Sequence, residues 1–217
     1  MSKVVDLAQF GAQKARLELL KSDFSSEHRS AENFCLANHE THKYDFSNNC
    51  WYIWDGSIWR IDETRRAFQN IRLWCADVSD NKKSLESVRH VSAVETLSQC
   101  DTLMATTHTL WDDNIYLLGT PKCTVDLKTG ETRPAEPTDY ITRSTVVSPE
   151  NGEPKLWLSF LNDVFKGDQA LVSYAQRACG YMLTGDTREQ KFFFLSGPGG
   201  NGKRVFTNAI IEILGSY

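Results

Sequence analysis

Near the C-terminal end of this 217-residue chain, the octapeptide Gly197-Pro198-Gly199-Gly200-Asn201-Gly202-Lys203-Arg204 stands between two apolar segments. Before it, Phe192-Phe193-Phe194-Leu195 reads as a short buried strand. After it, Val205, Phe206, Ala209, Ile210, Ile213 and Leu214 recur at helical spacing. Glycines at this density let a backbone turn its N–H groups inward around an anion. The N-terminus of the following helix adds about half a positive charge. Strand, glycine loop and amphipathic helix, in that order, form the setting of a phosphate-binding loop. Gly197, Gly202 and Lys203 fit the pattern GxxxxGK[ST], in which the lysine reaches the outer phosphates of a nucleoside triphosphate. Arg204 takes the place of the hydroxyl residue that ligates Mg²⁺. A guanidinium repels a cation but pairs readily with phosphate. The expectation is therefore weak ATP binding with little dependence on Mg²⁺, through Gly197, Pro198, Gly199, Gly200, Asn201, Gly202, Lys203 and Arg204. No catalytic residue and no metal ligand is assigned. The alternative for the same residues is a plain glycine-rich turn between a strand and a helix.

Upstream, the pattern is mixed. Residues 5–22 form a loose helical pattern weakened by Gly11, and residues 30–38 begin a second helix with Ser30 as its cap. Trp51 to Ile61 sets two aromatic, β-branched runs on either side of Asp55-Gly56, which predicts a β-hairpin. Thr64–Ala76 carries Phe68, Ile71, Trp74 and Cys75 at helical steps, and residues 85–106 also read as helical. A second hairpin is expected over 124–133, around Lys128-Thr129-Gly130, and a further strand over Tyr140–Val147. From Pro154 the periodicity predicts one helix ending at Gly167. A second helix follows, capped by Asp168 and ending at Gly185. The fold class is α+β: a mixed helical domain with β-hairpins, then the first strand, loop and helix of an α/β phosphate-loop ATPase.

Other residues invite functional readings. His39-Glu40-Thr41-His42 has histidines three apart, one short of the zinc-protease spacing, and reads as a solvated loop. Trp51, Trp54 and Trp59 could stack on bases, but on a hairpin they read as core. Arg60, Arg65, Arg66 and Arg72 are interleaved with Asp62 and Glu63, as on an ion-paired, solvated face. Asp112, Asp113 and Asp126 read as loop and turn positions.

Composition excludes some classes. The 24 Lys and Arg against 28 Asp and Glu give a net charge of −4, so this is no strongly basic nucleic-acid coat. The longest apolar run is five residues, Cys50–Trp54, far below a membrane span. Six cysteines without a CxxC pair argue for reduced thiols. With no signal-peptide core at the N-terminus, a cytoplasmic protein is expected.

From about Ala31 to Tyr217 the sequence resembles the phage- and plasmid-type primase–helicases, in which a poxvirus-primase-like N-terminal region precedes a superfamily 3 helicase. The resemblance runs through Trp51, Trp54-Asp55-Gly56, Trp59-Arg60, Val125-Asp126-Leu127, Thr129-Gly130 and Asp139-Tyr140-Ile141-Thr142. It continues with Trp157, Phe160-Leu161, Gly167-Asp168, Gln176-Arg177, Gly180-Tyr181, Leu183-Thr184-Gly185, Asn201-Gly202-Lys203, Leu214-Gly215 and Tyr217. Arg204 departs from the family's Ser, and Lys122-Cys123 from its Asn-Gly. The resemblance implies an ATP-driven helicase of DNA replication, with DNA as its partner, often in a ring. It also implies a division into an N-terminal helical extension (1–30), a linking domain (31–185) and the incomplete start of the ATPase (190–217). The family's acidic strand, sensor strand and arginine finger would lie beyond Tyr217, so full helicase activity is not expected of this chain. Two other readings stay open: a non-catalytic module that joins a helicase ring, and an inactive remnant.

Overall fold

The structure, a computed structural model, describes residues 26–79 and 83–217, so the helical pattern at 5–22 lies outside the described residues. The described chain is mixed α+β, with six α-helices and two small sheets. It divides into two units. One comprises the residues up to Asp55 with Arg60–Leu110, and the other Gly56–Trp59 with Trp111–Tyr217.

In the first unit, α1 (Glu27–Asn38) starts one turn earlier than Ser30 would allow as a cap. Ser26 is the cap, its hydroxyl accepting from Arg29 N–H at 3.3 Å, and Ser30 is buried inside the helix. Strands β1 (His42–Asp45), β2 (Cys50–Trp54), β3 (Trp59–Ile61) and β4 (Ala105–Thr106) form a sheet in the order β3-β2-β1-β4. β1 runs antiparallel to β2, with Tyr44 opposite Trp51, and parallel to β4, with Tyr44 opposite Ala105. The expected hairpin is present, but four residues, 55–58, connect its strands, with Gly56 at φ 102°. α2 (Arg66–Val78) buries Ala67, Ile71 and Cys75, spaced four apart along one stripe. α3 (Val88–Gln99) is shorter than the helical pattern over 85–106 predicts. Beyond it, Asp101 takes the backbone N–H of Leu103 on its carboxylate, and its carbonyl takes Met104 and Ala105, which turns the chain into β4. The core joins Phe34 and Cys35 of α1, Trp51 and Ile53 of β2, Ile71, Val91, Val94 and Met104.

In the second unit, β5 (Leu117–Gly119), β6 (Thr124–Asp126) and β7 (Thr132–Arg133) form an antiparallel sheet. Asp126 shapes the β6–β7 turn: its carboxylate accepts from Lys128 N–H at 2.8 Å and its carbonyl from Gly130 N–H at 2.7 Å. The strand expected over Tyr140–Val147 does not form. Its backbone is satisfied by separate partners instead of a ladder. Trp59 N–H donates to Ile141 O, Thr142 N–H to Asp112, Thr145 N–H to Gly119 O, and Val146 N–H to Ile213 O. Gly119 is a steric requirement, because a Cβ there would collide with Arg143 O and lie 2.8 Å from Ile141 Cγ2. α4 (Lys155–Val164) and α5 (Gln169–Met182) form the predicted helical pair. Gly167, at φ 76°, ends the first turn-out, and Asp168 caps α5 by accepting from Ala170 and Leu171 N–H. α6 (Lys203–Leu214) packs Phe206 against Leu161 and Ala175, with the Trp157 ring stacked on Phe206 at 5.7 Å.

The buried strand expected at Phe192–Leu195 is absent. Residues 191–196 carry no strand, and exposure alternates along the run: 86% at Phe192, 38% at Phe193, 82% at Phe194 and 43% at Leu195. That is the two-residue period of an extended chain. Among the described residues no neighbouring strand pairs with it, and burial without such a ladder would leave its N–H and C=O groups unsatisfied.

Candidate functional site

The glycine loop leads directly into α6. Gly202 occupies the N-cap position in the left-handed region, at φ 81°, and no side chain caps the helix. It is also packed: a Cβ there would lie 2.6 Å from Val164 Cγ2 and 3.1 Å from Phe160 Cε2. Only glycine fits both the angle and the space. Gly197 comes close to the Asn201 amide, and Gly200 takes φ 74°. The first backbone bond of α6 runs from Phe206 N–H to Gly202 O at 3.0 Å, so the amides before it face outward with no intrahelical acceptor.

Lys203 is the first residue of α6, and its ammonium folds back over the loop. Nζ donates to Gly197 O at 2.9 Å, Pro198 O at 3.1 Å and Asn201 Oδ1 at 2.6 Å. Three donors thus meet three acceptors, and the cation sits inside the loop's curve. Arg204 points to solvent one residue on. Thr207 donates its hydroxyl to Lys203 O at 3.1 Å and Arg204 O at 3.2 Å, so the nearest hydroxyl in α6 is engaged with the helix backbone. A groove of about 730 Å³ runs from the loop between α5 and α6, past Tyr174, Phe193, Phe206 and Ile210. Its charged lining residues are Lys166 and Lys203, and no carboxylate lines it. The lysines give this groove a positive charge at the loop end, and the oxygen atoms lining it come from neutral groups, among them Ser196, Asn201 and Thr207. Among the described residues no group of three or more His, Cys, Asp or Glu is placed to hold a metal.

The structure brings Asn201 and Lys203 together, leaves Pro198 and Gly199 exposed, and sets Arg204 apart from the ammonium's partners. The other candidates take structural places. Trp51 and Trp59 are buried at 6% and 0% exposure, and the Trp59 indole N–H donates to Pro137 O at 2.8 Å. Arg60 pairs with Asp55 at 2.5 Å and Arg65 with Glu95 at 3.4 Å, both at the surface. His42 corrects the solvated-loop expectation. It is buried at the start of β1, edge-on to Phe34 and Trp51, and burial pushes its pKa down to about 4. Asp112 holds the chain at Thr142 through both its N–H (2.8 Å) and its hydroxyl (2.5 Å), a clamp that an isolated aspartate in sequence does not announce.

A small three-stranded sheet, an irregular segment packed on it and a helical pair define an α+β scaffold around the loop. The chain belongs to the D5 N terminal like family, whose model matches residues 31–166, a domain associated with DNA replication as the N-terminal region of primase–helicase-type proteins. The match covers the first unit's described helices from Ala31, the β5–β7 sheet and α4, and stops before α5 and the glycine loop. No curated protein matches the chain. Among the described residues no helix is long and apolar enough to cross a membrane.

Proposed function

We propose that this chain is the D5-type linking region of a phage- or plasmid-type replicative primase–helicase, carrying a degenerate Walker A loop that binds ATP weakly. The observation that carries the reading is the Lys203 ammonium held inside the glycine loop at the N-terminus of α6. An anion entering that curve replaces neutral carbonyls with charged oxygens, which make stronger bonds to an ammonium. Arg204, exposed one residue on, adds positive charge at the start of α6, where it would disfavour Mg²⁺. Titration of a fluorescent ATP analogue, with and without Mg²⁺, tests this on the parent, Lys203→Ala and Arg204→Ser. The expected result is saturable binding, about tenfold weaker in Lys203→Ala and indifferent to Mg²⁺ unless Arg204 is replaced by Ser. Strong Mg²⁺ stimulation of the parent would remove the role given to Arg204.

A second reading, a non-catalytic module that joins a helicase ring, is favoured by the solvent-facing rings of Phe192 and Phe194. Sedimentation of the chain with and without a purified ring helicase separates the two: a stable co-sedimenting complex without ATP dependence supports the module.

A further inference from the structure

We infer that the D5-type sheet itself positions the glycine loop, because the segment that carries the loop is fastened at one end to Ile115 and Tyr116, the residues leading into β5, and at the other to Gly119 of β5. This inference rests on the phosphate-binding reading of that loop.

At the leading end, Gly185 N–H donates to Ile115 O at 3.2 Å, and a Cβ on Gly185 would lie 3.1 Å from the Ile115 side chain. The next turn is clasped by Asp186 and Arg188. The Arg188 guanidinium holds the Asp186 carboxylate at 2.5 Å and donates to Tyr116 Oη at 3.1 Å, while Lys128 lies over the Tyr116 ring at 4.2 Å. At the trailing end, Gly119 N–H donates to Tyr217 Oη at 2.7 Å. Ser216 completes this fastening. Its hydroxyl accepts from Ser144 N–H at 2.9 Å and donates to Ser144 O at 3.1 Å, and its carbonyl accepts from Arg143 at 2.9 Å. Val146 N–H donates to Ile213 O at 3.0 Å, and Gly215 lies so close to Val146 that a Cβ would come within 2.8 Å of Cγ2.

Between these anchors run the exposed stretch 191–196, the loop and α6. α6 has twelve residues, a rod about 18 Å long. Its N-terminus carries Lys203 and its C-terminal end is fixed to the 143–146 segment and Gly119. A helix moves as a unit, so ordering at Lys203 is felt at Tyr217; because Phe206 is also packed on Leu161 and Ala175, loss of the Tyr217 anchor loosens the placement of the loop without freeing it. Tyr217, Ser216 and Arg188 are therefore positioning residues: they touch no phosphate, and they act through the placement of α6 and the loop. The two anchors fall on residues Ile115–Gly119, inside the segment that matches the D5-type family, whereas the loop lies outside it. The coupling would make nucleotide occupancy legible on the sheet of the family domain.

Tyr217→Phe keeps the ring and removes only the hydroxyl that accepts from Gly119. In the full chain, without Mg²⁺, ATP and inorganic tripolyphosphate are titrated into the parent, Tyr217→Phe and Lys203→Ala, and amide exchange at Gly119 is followed by NMR. The expected results are a severalfold slowing of Gly119 exchange when either ligand binds the parent, no slowing in Lys203→Ala, and affinity lowered about threefold to tenfold in Tyr217→Phe. The exchange measurement on the parent needs no variant, so it stands even if Tyr217→Phe folds poorly. Binding that depends on Lys203 but leaves Gly119 exchange and Tyr217→Phe affinity unchanged overturns the coupling and spares the loop. Equal binding by the parent and Lys203→Ala overturns both.

Discussion

His42 shows how far a side chain's surroundings can depart from its sequence neighbours. Flanked by Thr41 and Lys43, it has the look of a surface residue, yet it is 4% exposed, with Asn70 Nδ2 3.0 Å from Nε2 and Thr41 Oγ1 2.9 Å from Nδ1. Burial favours the neutral ring, so the folded pKa is depressed to about 4 from an ordinary 6.5. Because the unfolded chain binds the proton first, the stability held above pH 6.5 is lost as pH falls toward about 4, by an amount on the order of 3 kcal/mol. Urea unfolding of the parent and His42→Gln at pH 7.5 and 4.5 checks this; the parent is expected to lose the larger share of its stability on acidification. Asp62 is a second such residue. The sequence reads it as one charge among arginines, but its carboxylate accepts the backbone N–H groups of Thr64, Arg66 and Ala67 at 3.1, 2.8 and 2.7 Å. It does the work of an N-cap from outside α2. Asp62→Ala is expected to cost about 1–2 kcal/mol in a urea titration, and Asp62→Asn less. An equal, negligible effect of both would remove the capping role.

At the scale of elements, local chemistry made the helices legible and long-range pairing hid the strands. Asp168 and Gly167 announced the start of α5 and the end of α4, because capping is decided within a few residues. The β6–β7 turn was legible for the same reason. Tyr140–Val147 carries a strand's residue types, but its partners are Trp59, Asp112, Gly119 and Ile213, scattered along the chain, and no ladder forms. Phe192–Leu195 likewise has a strand's composition and alternation and no partner among the described residues. Protection from exchange is therefore expected to divide within residues 190–217. Residues 191–200 are expected to exchange at nearly unprotected rates, whereas 211–217 is held to Ser144 and Val146 and is expected to be protected. Hydrogen exchange resolved by peptide tests the split; strong protection of 191–196 in a demonstrated monomer would mean that an unrecognised strand pairs with them.

For the whole molecule, the glycine loop and the helix that follows it were more legible than their surroundings. Glycines, lysine and helix stand next to one another in sequence, so the loop could be read without the fold. Its moorings to Ile115, Tyr116 and Gly119 could not, since they join residues 72 to 98 positions apart through side chains, and Gly185 to Ile115 through backbone groups that every residue shares. The account proposed for this D5-type chain is that its sheet positions a loop that binds nucleotide without metal-assisted turnover. Arg204 stands in the hydroxyl position, Thr207 is engaged with its own helix, and no carboxylate lines the groove. Equilibrium dialysis of the purified chain and of Lys203→Ala against labelled ATP, followed by chromatography of the retained nucleotide, tests that account most directly. It predicts that the parent retains ATP, that Lys203→Ala retains about tenfold less at subsaturating ligand, and that the retained nucleotide is intact ATP. Equal retention by the two proteins, or lysine-dependent conversion to ADP, would contradict it.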